Sequence, residues 1–266
     1  MPYEKRFHYQ APMIKAYTDA IANECPNAFI IVNASPIDCM VPLMGMILKE
    51  TGWYDPNKLL GSIAVQEMRA TTLAARGLGL EPRYTRVPCV GGTEGDTLVP
   101  LFSRAVEMFD FAENNSMLMM QAVRNAPQSL LRLDDCNTIR AAELSEAHAL
   151  AGLVTNVANA LLCHDVPIVS GYVETNPSQV LSPARFLANG VVLSGTGIIK
   201  NIGLPKMNDR ETFLLNCAMT LLFNRRKMVE AWYLKHVPGT RHGASKVQFF
   251  TPKQYDRIDD CAYTTI

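Results

Sequence analysis

Two continuous apolar runs of strand length, Ala28-Phe29-Ile30-Ile31-Val32 and Leu59 to Val65, most limit how this chain can fold. A strand without a polar face is buried on both sides, as parallel strands covered by helices are. Helical periodicity flanks each run. Residues 11–24 put Met13, Ile14, Tyr17 and Ile21 on one face; Val41, Met44, Ile47 and Leu48 mark a second helix ending near Gly52; residues 66–76 turn Met68, Leu73 and Ala75 inward. Helix, strand, helix, strand, helix is the rhythm of a doubly wound α/β sheet. Two parallel strands are not viable alone, so these runs need neighbours.

Beyond residue 80 the rhythm changes. Arg83 to Val90 reads as a strand and Leu98 to Phe111 as the start of a helical stretch. Met117, Met119 and Met120 read as core or as an adaptable contact surface. Thr138 to Leu162 reads as one long helix, with Ala141, Leu144, Ala151, Val154 and Ala158 near helical spacing. Residues 168–173, 184–187, 191–193 and 198–201 read as four short strands of an antiparallel meander. Asn208-Asp209 then caps a helix over 210–234, with Phe213, Leu214, Cys217, Leu221 and Leu222 expected inside. Residues 237–266 show no strong period and read as an extended tail.

The 266 residues carry 25 basic and 25 acidic side chains, for zero formal net charge. A dedicated nucleic-acid binder would show a basic excess, so no nucleic-acid partner is expected. No apolar run reaches membrane-spanning length and the first residues lack a signal-peptide core, so no membrane partner is expected either. The seven cysteines form no CxxC pair and no zinc-like spacing, and are read as reduced, buried thiols with no metal. His148 reads as a partly buried structural histidine and His164-Asp165 as a helix end.

Val90-Gly91-Gly92-Thr93-Glu94-Gly95-Asp96 has the form of an active-site loop. An apolar strand arrives, paired glycines permit a tight turn, and a reactive group is expected after Gly92. Thr93 stands there, and a threonine hydroxyl moves no proton near neutrality without an activating group. Glu94 has no evident partner as a replacement acid or base. Neither this segment nor Gly195-Thr196-Gly197 carries a Walker pattern, and both read as ordinary turns.

Several stretches together resemble the lactate/malate dehydrogenase superfamily, and malate dehydrogenase within it, from about residue 1 to 237. Val87-Pro88-Cys89-Val90-Gly91-Gly92-Thr93 resembles the family's VPVIGGH, and Ser35 to Pro42 its NPVNSTVP. Tyr54 to Gly61 resembles YDxxKLFG, Gly171-Tyr172-Val173-Glu174 the AYVEG strand, and 187–203 the late meander. The resemblance implies an α/β (α+β) fold: a C-terminal-type dehydrogenase domain over 37–236, preceded over 1–36 by a two-strand remnant of a Rossmann parallel sheet, and followed by the tail 237–266.

The resemblance also implies what has changed. No GxGxxG fingerprint is present and no counterpart of the family's first four strands, so no cofactor is expected. The catalytic histidine position is Thr93, its orienting aspartate Gln66, and the substrate-contacting asparagine Ser35; a substrate arginine aligns with Tyr3. Arg69 matches the arginine that pairs with the substrate carboxylate. It is read as structural, paired with an acid or a helix end, with bidentate carboxylate binding as the alternative. The expectation is a non-catalytic pseudoenzyme serving as a structural subunit of a larger assembly, cytoplasmic or cytoskeletal, or else in a mitochondrial complex. Other protein subunits would cover the strand at 28–33 and contact the tail. The alternative is a carboxylate-binding module, or a residual oxidoreductase, with a pocket around Arg69.

Overall fold

The computed structural model describes residues 2–106, 111–132, 136–175 and 182–237, without the side chains of 113, 127–132 and 136–139. The expected tail, apart from Val237, and Cys261 lie outside these residues. In chain order the elements are α1 (Tyr3–Glu24), β1 (Ile30–Val32), α2 (Ile37–Glu50), β2 (Leu59–Ser62), α3 (Ala64–Leu78), β3 (Cys89–Gly91), β4 (Leu98–Pro100), α4 (Glu113–Arg132), α5 (Cys136–Leu161), β5 (Ile168–Glu174), β6 (Phe186–Ser194), β7 (Gly197–Gly203) and α6 (Asp209–His236).

One mixed sheet runs β1-β2-β5-β6-β3-β4, with β7 also paired to β6. β1 and β2 are parallel, Ile30 opposite Leu59, and the remaining pairs are antiparallel. The two apolar runs therefore find their neighbours through β5. The buried apolar side chains form two clusters. Tyr172, Leu187 and Val90 pack with α1, α2 and α6, whereas Leu60, Val169, Val173, Val191 and Leu193 pack with Leu153, Val157 and Ala160 of α5. α2 is buried from Ile37 through Leu48, as expected for a helix that is apolar nearly all round.

Several expectations are corrected. Leu98 does not begin a helix: Leu98–Pro100 is β4, paired back on β3 with Val90 opposite Val99, and a single 3-10 turn, Phe102–Arg104, follows; the expected stretch at 107–110 lies outside the described residues. The strands expected at 184–187 and 191–193 are one strand, β6, running through Gly190. α1 buries Phe7, Ala11, Ile14, Thr18 and Ala22, while Met13 and Tyr17 are exposed. The Thr18 hydroxyl on the buried face is satisfied by the Ile14 carbonyl at 2.6 Å. On α6, Phe213, Cys217 and Leu221 point outward. Asn208 and Glu211 form a capping box, and the buried Glu211 also accepts hydrogen bonds from the Ser103 amide and hydroxyl. That anchor rotates the helix so that Leu215, Ala218, Met219 and Leu222 face inward. α5 buries Ala149, Leu153, Val157 and Ala160, leaving Leu144, Val154 and His148 exposed. Cys39 and Cys89 are buried, but Cys25, Cys163 and Cys217 are exposed.

Leu187 lies at the centre of the sheet with none of its surface exposed, and Phe213 is 65% exposed. Leu187→Ala is expected to cost about 2–5 kcal/mol of unfolding free energy. Phe213→Ala is expected to stay within about 0.5 kcal/mol. Urea unfolding followed by circular dichroism measures both.

Candidate functional site

The loop between β3 and β4 is built on its two glycines for different reasons. Gly91 has φ +85°, a left-handed conformation, and a Cβ there would sit 2.4 Å from the Thr97 carbonyl oxygen. At Gly92 the constraint is space: a Cβ would lie 2.2 Å from the Thr97 hydroxyl oxygen. The Gly92 amide donates to the Thr97 carbonyl at 2.6 Å, closing the loop on itself.

Beneath the loop sits the carboxylate of Asp38, in the first turn of α2 and 2% exposed. Its Oδ1 accepts the Thr93 amide at 2.7 Å. Its Oδ2 pairs with Arg225 of α6 and lies 2.9 Å from the Thr97 hydroxyl. Arg225 also donates to Thr97 Oγ1 at 3.0 Å and stacks on the Tyr3 ring, 3.9 Å from its centroid. Burial pushes the Arg225 guanidinium down, but Asp38, then Tyr3, Cys39 and Glu94, more than offset this and leave it raised. The Tyr3 hydroxyl lies 3.2 Å from Cys39 Sγ. Burial first, then the Asp38 charge, raises the Tyr3 phenol. Burial pushes the Cys39 thiol up to about 12, against the lowering effect of its Tyr3 hydrogen bond.

Toward the surface, Arg6 holds Glu94 in a bidentate pair at 2.9 and 3.2 Å and donates to Ser35 Oγ at 2.8 Å. Burial raises the Glu94 carboxyl, against the lowering effect of Arg6. Gln66 Nε2 donates to the Thr93 carbonyl at 2.9 Å. A carbonyl only accepts, so this bond fixes the amide orientation and leaves Gln66 Oε1 as a buried acceptor without a partner among the described residues.

Ser35, Gln66, Arg69 and Thr93 thus line one cavity of about 280 Å³, between the loop, α3, α4 and α5. Tyr3 stands apart from it, behind Arg225 and Cys39. Arg69 makes no hydrogen bond and no ion pair within 4 Å among the described residues, and Glu146 acts on it electrostatically. Burial lowers its guanidinium and Glu146 opposes that lowering. Arg124, also on the lining, is engaged with the Leu98 carbonyl at 2.8 Å and with the Asp96 carboxylate at 3.8 Å. Sequence reasoning missed Arg6, Asp38 and Arg225. Asp38 left one signal: it is the only charge in the apolar run from Ile37 to Leu48.

Among the described residues no group of three or more His, Cys, Asp or Glu could hold a metal ion, and no helix is long and apolar enough to cross a membrane. Nor do they fit a dinucleotide pyrophosphate. β1 passes to α2 through Asn33-Ala34-Ser35-Pro36, and β2 passes to α3 through Ile63, with no glycine-rich turn at either helix start.

A parallel pair continued by an antiparallel meander, with a glycine hairpin facing a half-buried arginine, is a dehydrogenase-type α/β fold. Malate dehydrogenase from Aeropyrum pernix superposes over 87% of this chain and 71% of its own, with TM-score 0.69 at 14% identity. That from Plasmodium falciparum covers 87% and 72%, with TM-score 0.69 at 18% identity. Residues 65–231 match the family model described as lactate/malate dehydrogenase, alpha/beta C-terminal domain, and the chain belongs to this family. Human mitochondrial malate dehydrogenase is 27% identical over 213 residues, 80% of this chain and 61% of that protein. Rice glyoxysomal malate dehydrogenase is 30% identical over 207 residues, 77% of this chain and 56% of that protein. The chain therefore spans about six-tenths of the length of the curated relatives it matches.

Arg225→Met would leave the buried Asp38 carboxylate without its cation and is expected to cost about 3–5 kcal/mol. Adding Asp38→Asn is expected to restore part of that loss. Chemical denaturation of the single and double variants measures both.

Proposed function

We propose that this chain is a non-catalytic member of the malate dehydrogenase family that serves as a structural subunit of a larger protein assembly. The observation that carries this is the Thr93–Gln66 pair. The residue after the glycines is a threonine, 1% exposed, and its neighbour on α3 is an amide bonded to its carbonyl. Neither side chain exchanges a proton near neutral pH, whereas positioned acid–base groups supply about 10²–10⁴ of an enzyme's rate. The assembly half of the proposal is supported by two surfaces. β1 pairs only with β2 among the described residues, leaving an open edge, and Tyr9, Met13 and Tyr17 form an exposed apolar stripe on α1. The reading puts the protein in the cytoplasm or cytoskeleton, with a mitochondrial complex as the alternative.

The purified protein, given NADH and oxaloacetate, is expected to turn over at least 100-fold more slowly than a working malate dehydrogenase assayed beside it, on the order of the acid–base contribution. A rate within tenfold would overturn the non-catalytic half. The endogenous chain is expected to sediment well above monomer size with other proteins, and a monomeric profile would overturn the assembly half.

A second reading is favoured by one observation: Arg69 faces a cavity of about 280 Å³ with no hydrogen-bonding partner among the described residues. A guanidinium so placed offers a carboxylate two parallel hydrogen bonds. On this reading the pocket binds a small carboxylate without transforming it. Calorimetry with millimolar carboxylates is expected to show saturable heat that Arg69→Ala reduces at least tenfold in affinity. The absence of heat from every carboxylate tried would remove the reading.

A further inference from the structure

We infer that Glu94 acts as a built-in second carboxylate: by occupying Arg6 it restricts this cavity to ligands with one carboxylate on an uncharged body, and it is the residue that excludes dicarboxylates. The inference rests on the carboxylate-binding reading and names the ligand class of that site.

Three guanidiniums reach the lining from three helices, Arg6 from α1, Arg69 from α3 and Arg124 from α4. Two are committed. Arg6 gives Nη1 and Nη2 to the two oxygens of Glu94 at 2.9 and 3.2 Å, and Nη1 also reaches Ser35 Oγ at 2.8 Å. That fork-to-fork geometry is what a guanidinium offers a bound carboxylate, met here from within the chain. The pair is largely withdrawn from water, with side-chain exposures of 33% and 19%, so it is screened less than a surface pair. Arg124 gives Nε to the Leu98 carbonyl at 2.8 Å and Nη2 to the Asp96 carbonyl at 3.4 Å, and its Nη1 lies 3.8 Å from the Asp96 carboxylate. Only Arg69 makes no hydrogen bond and no ion pair within 4 Å among the described residues.

A monocarboxylate needs one open guanidinium and finds one. A dicarboxylate brings a second charge that no open cation on the lining balances. Its second carboxylate must either displace Glu94 from Arg6, leaving two anions to share one cation, or lose water without a partner. Either cost falls on the dianion alone. Glu94 is also held from its own backbone: the preceding Thr93 amide is fixed by Asp38 at 2.7 Å, and the Glu94 carbonyl accepts the Thr97 hydroxyl at 2.8 Å. The loop therefore presents this carboxylate at a set position. Ile37, Val65 and Ala142 on the same lining give an alkyl end an apolar wall.

The test is calorimetry of the full chain with butanoate and butanedioate, which share a four-carbon skeleton and differ only in a methyl group against a second carboxylate. The unmodified chain is expected to bind butanoate at least about tenfold more tightly than butanedioate. Glu94→Gln keeps the size of the side chain, removes its charge and releases the charge of Arg6. It is expected to lower that ratio at least about tenfold, with butanedioate gaining the more. The preference of the unmodified chain is read without any variant, so the test holds if Glu94→Gln melts early. Butanedioate binding as tightly as butanoate to the unmodified chain, or a ratio that a folded Glu94→Gln leaves within about twofold, overturns the role of Glu94 and leaves the carboxylate reading standing. No heat from either ligand at millimolar concentration overturns both.

Discussion

The Asp38 carboxylate is the interaction on which the rest of this structure turns. One buried anion, on a helix otherwise apolar, holds the Thr93 amide, the Thr97 hydroxyl and the Arg225 guanidinium at once. Through those contacts α2, α6 and the β3–β4 loop are fixed to a common point. Removing an ion from water is costly, and an ion pair returns that cost only when its remaining hydrogen-bonding groups are satisfied. Here they are: both carboxylate oxygens are engaged, and the guanidinium also lies on the Tyr3 ring. The main product of such an arrangement is a defined position for the loop.

That position sets the shape of the loop without calling on the side chain at 93. Gly91 and Gly92 are required by the backbone angle and by the nearness of Thr97, both of which the Asp38 cluster fixes. The side chain at 93 answers to no such demand. Gln66 braces the same loop from outside, its amide nitrogen donating to the Thr93 carbonyl.

How much could be read in the sequence follows the same division between local and distant causes. β1 and β2 were legible because continuous apolar runs leave little choice of environment, and α2 was legible by its periodicity, though it is buried all round where an amphipathic helix was expected. Ser35, Gln66, Arg69 and Thr93 were legible because each lies inside a short pattern that carries its own alignment, and the structure places all four on one cavity. The rotation of α6 was not, because it is set by Glu211 reaching Ser103, 108 residues away. The Asp38–Arg225 pair joins residues 187 apart, and no local pattern joins them. On α1 Met13 and Tyr17 are conspicuous in sequence, yet the helix buries Phe7, Ala11, Ile14, Thr18 and Ala22. β4 was hidden because an apolar segment entered after a polar loop reads equally as a helix start or a returning strand.

The division of β6 has an evolutionary consequence. Its first half supports the glycine loop, with Ala188 opposite Gly91, and its second half carries β7. The register irregularities lie only on the β7 side, between Gly190 and Val191 and between Val192 and Leu193. A gain or loss of a residue in the β6–β7 hairpin is taken up at those bulges before it reaches Ala188. The meander is thus free to drift in length and surface character toward new contacts, while the strand beneath the glycine loop inherits none of that drift.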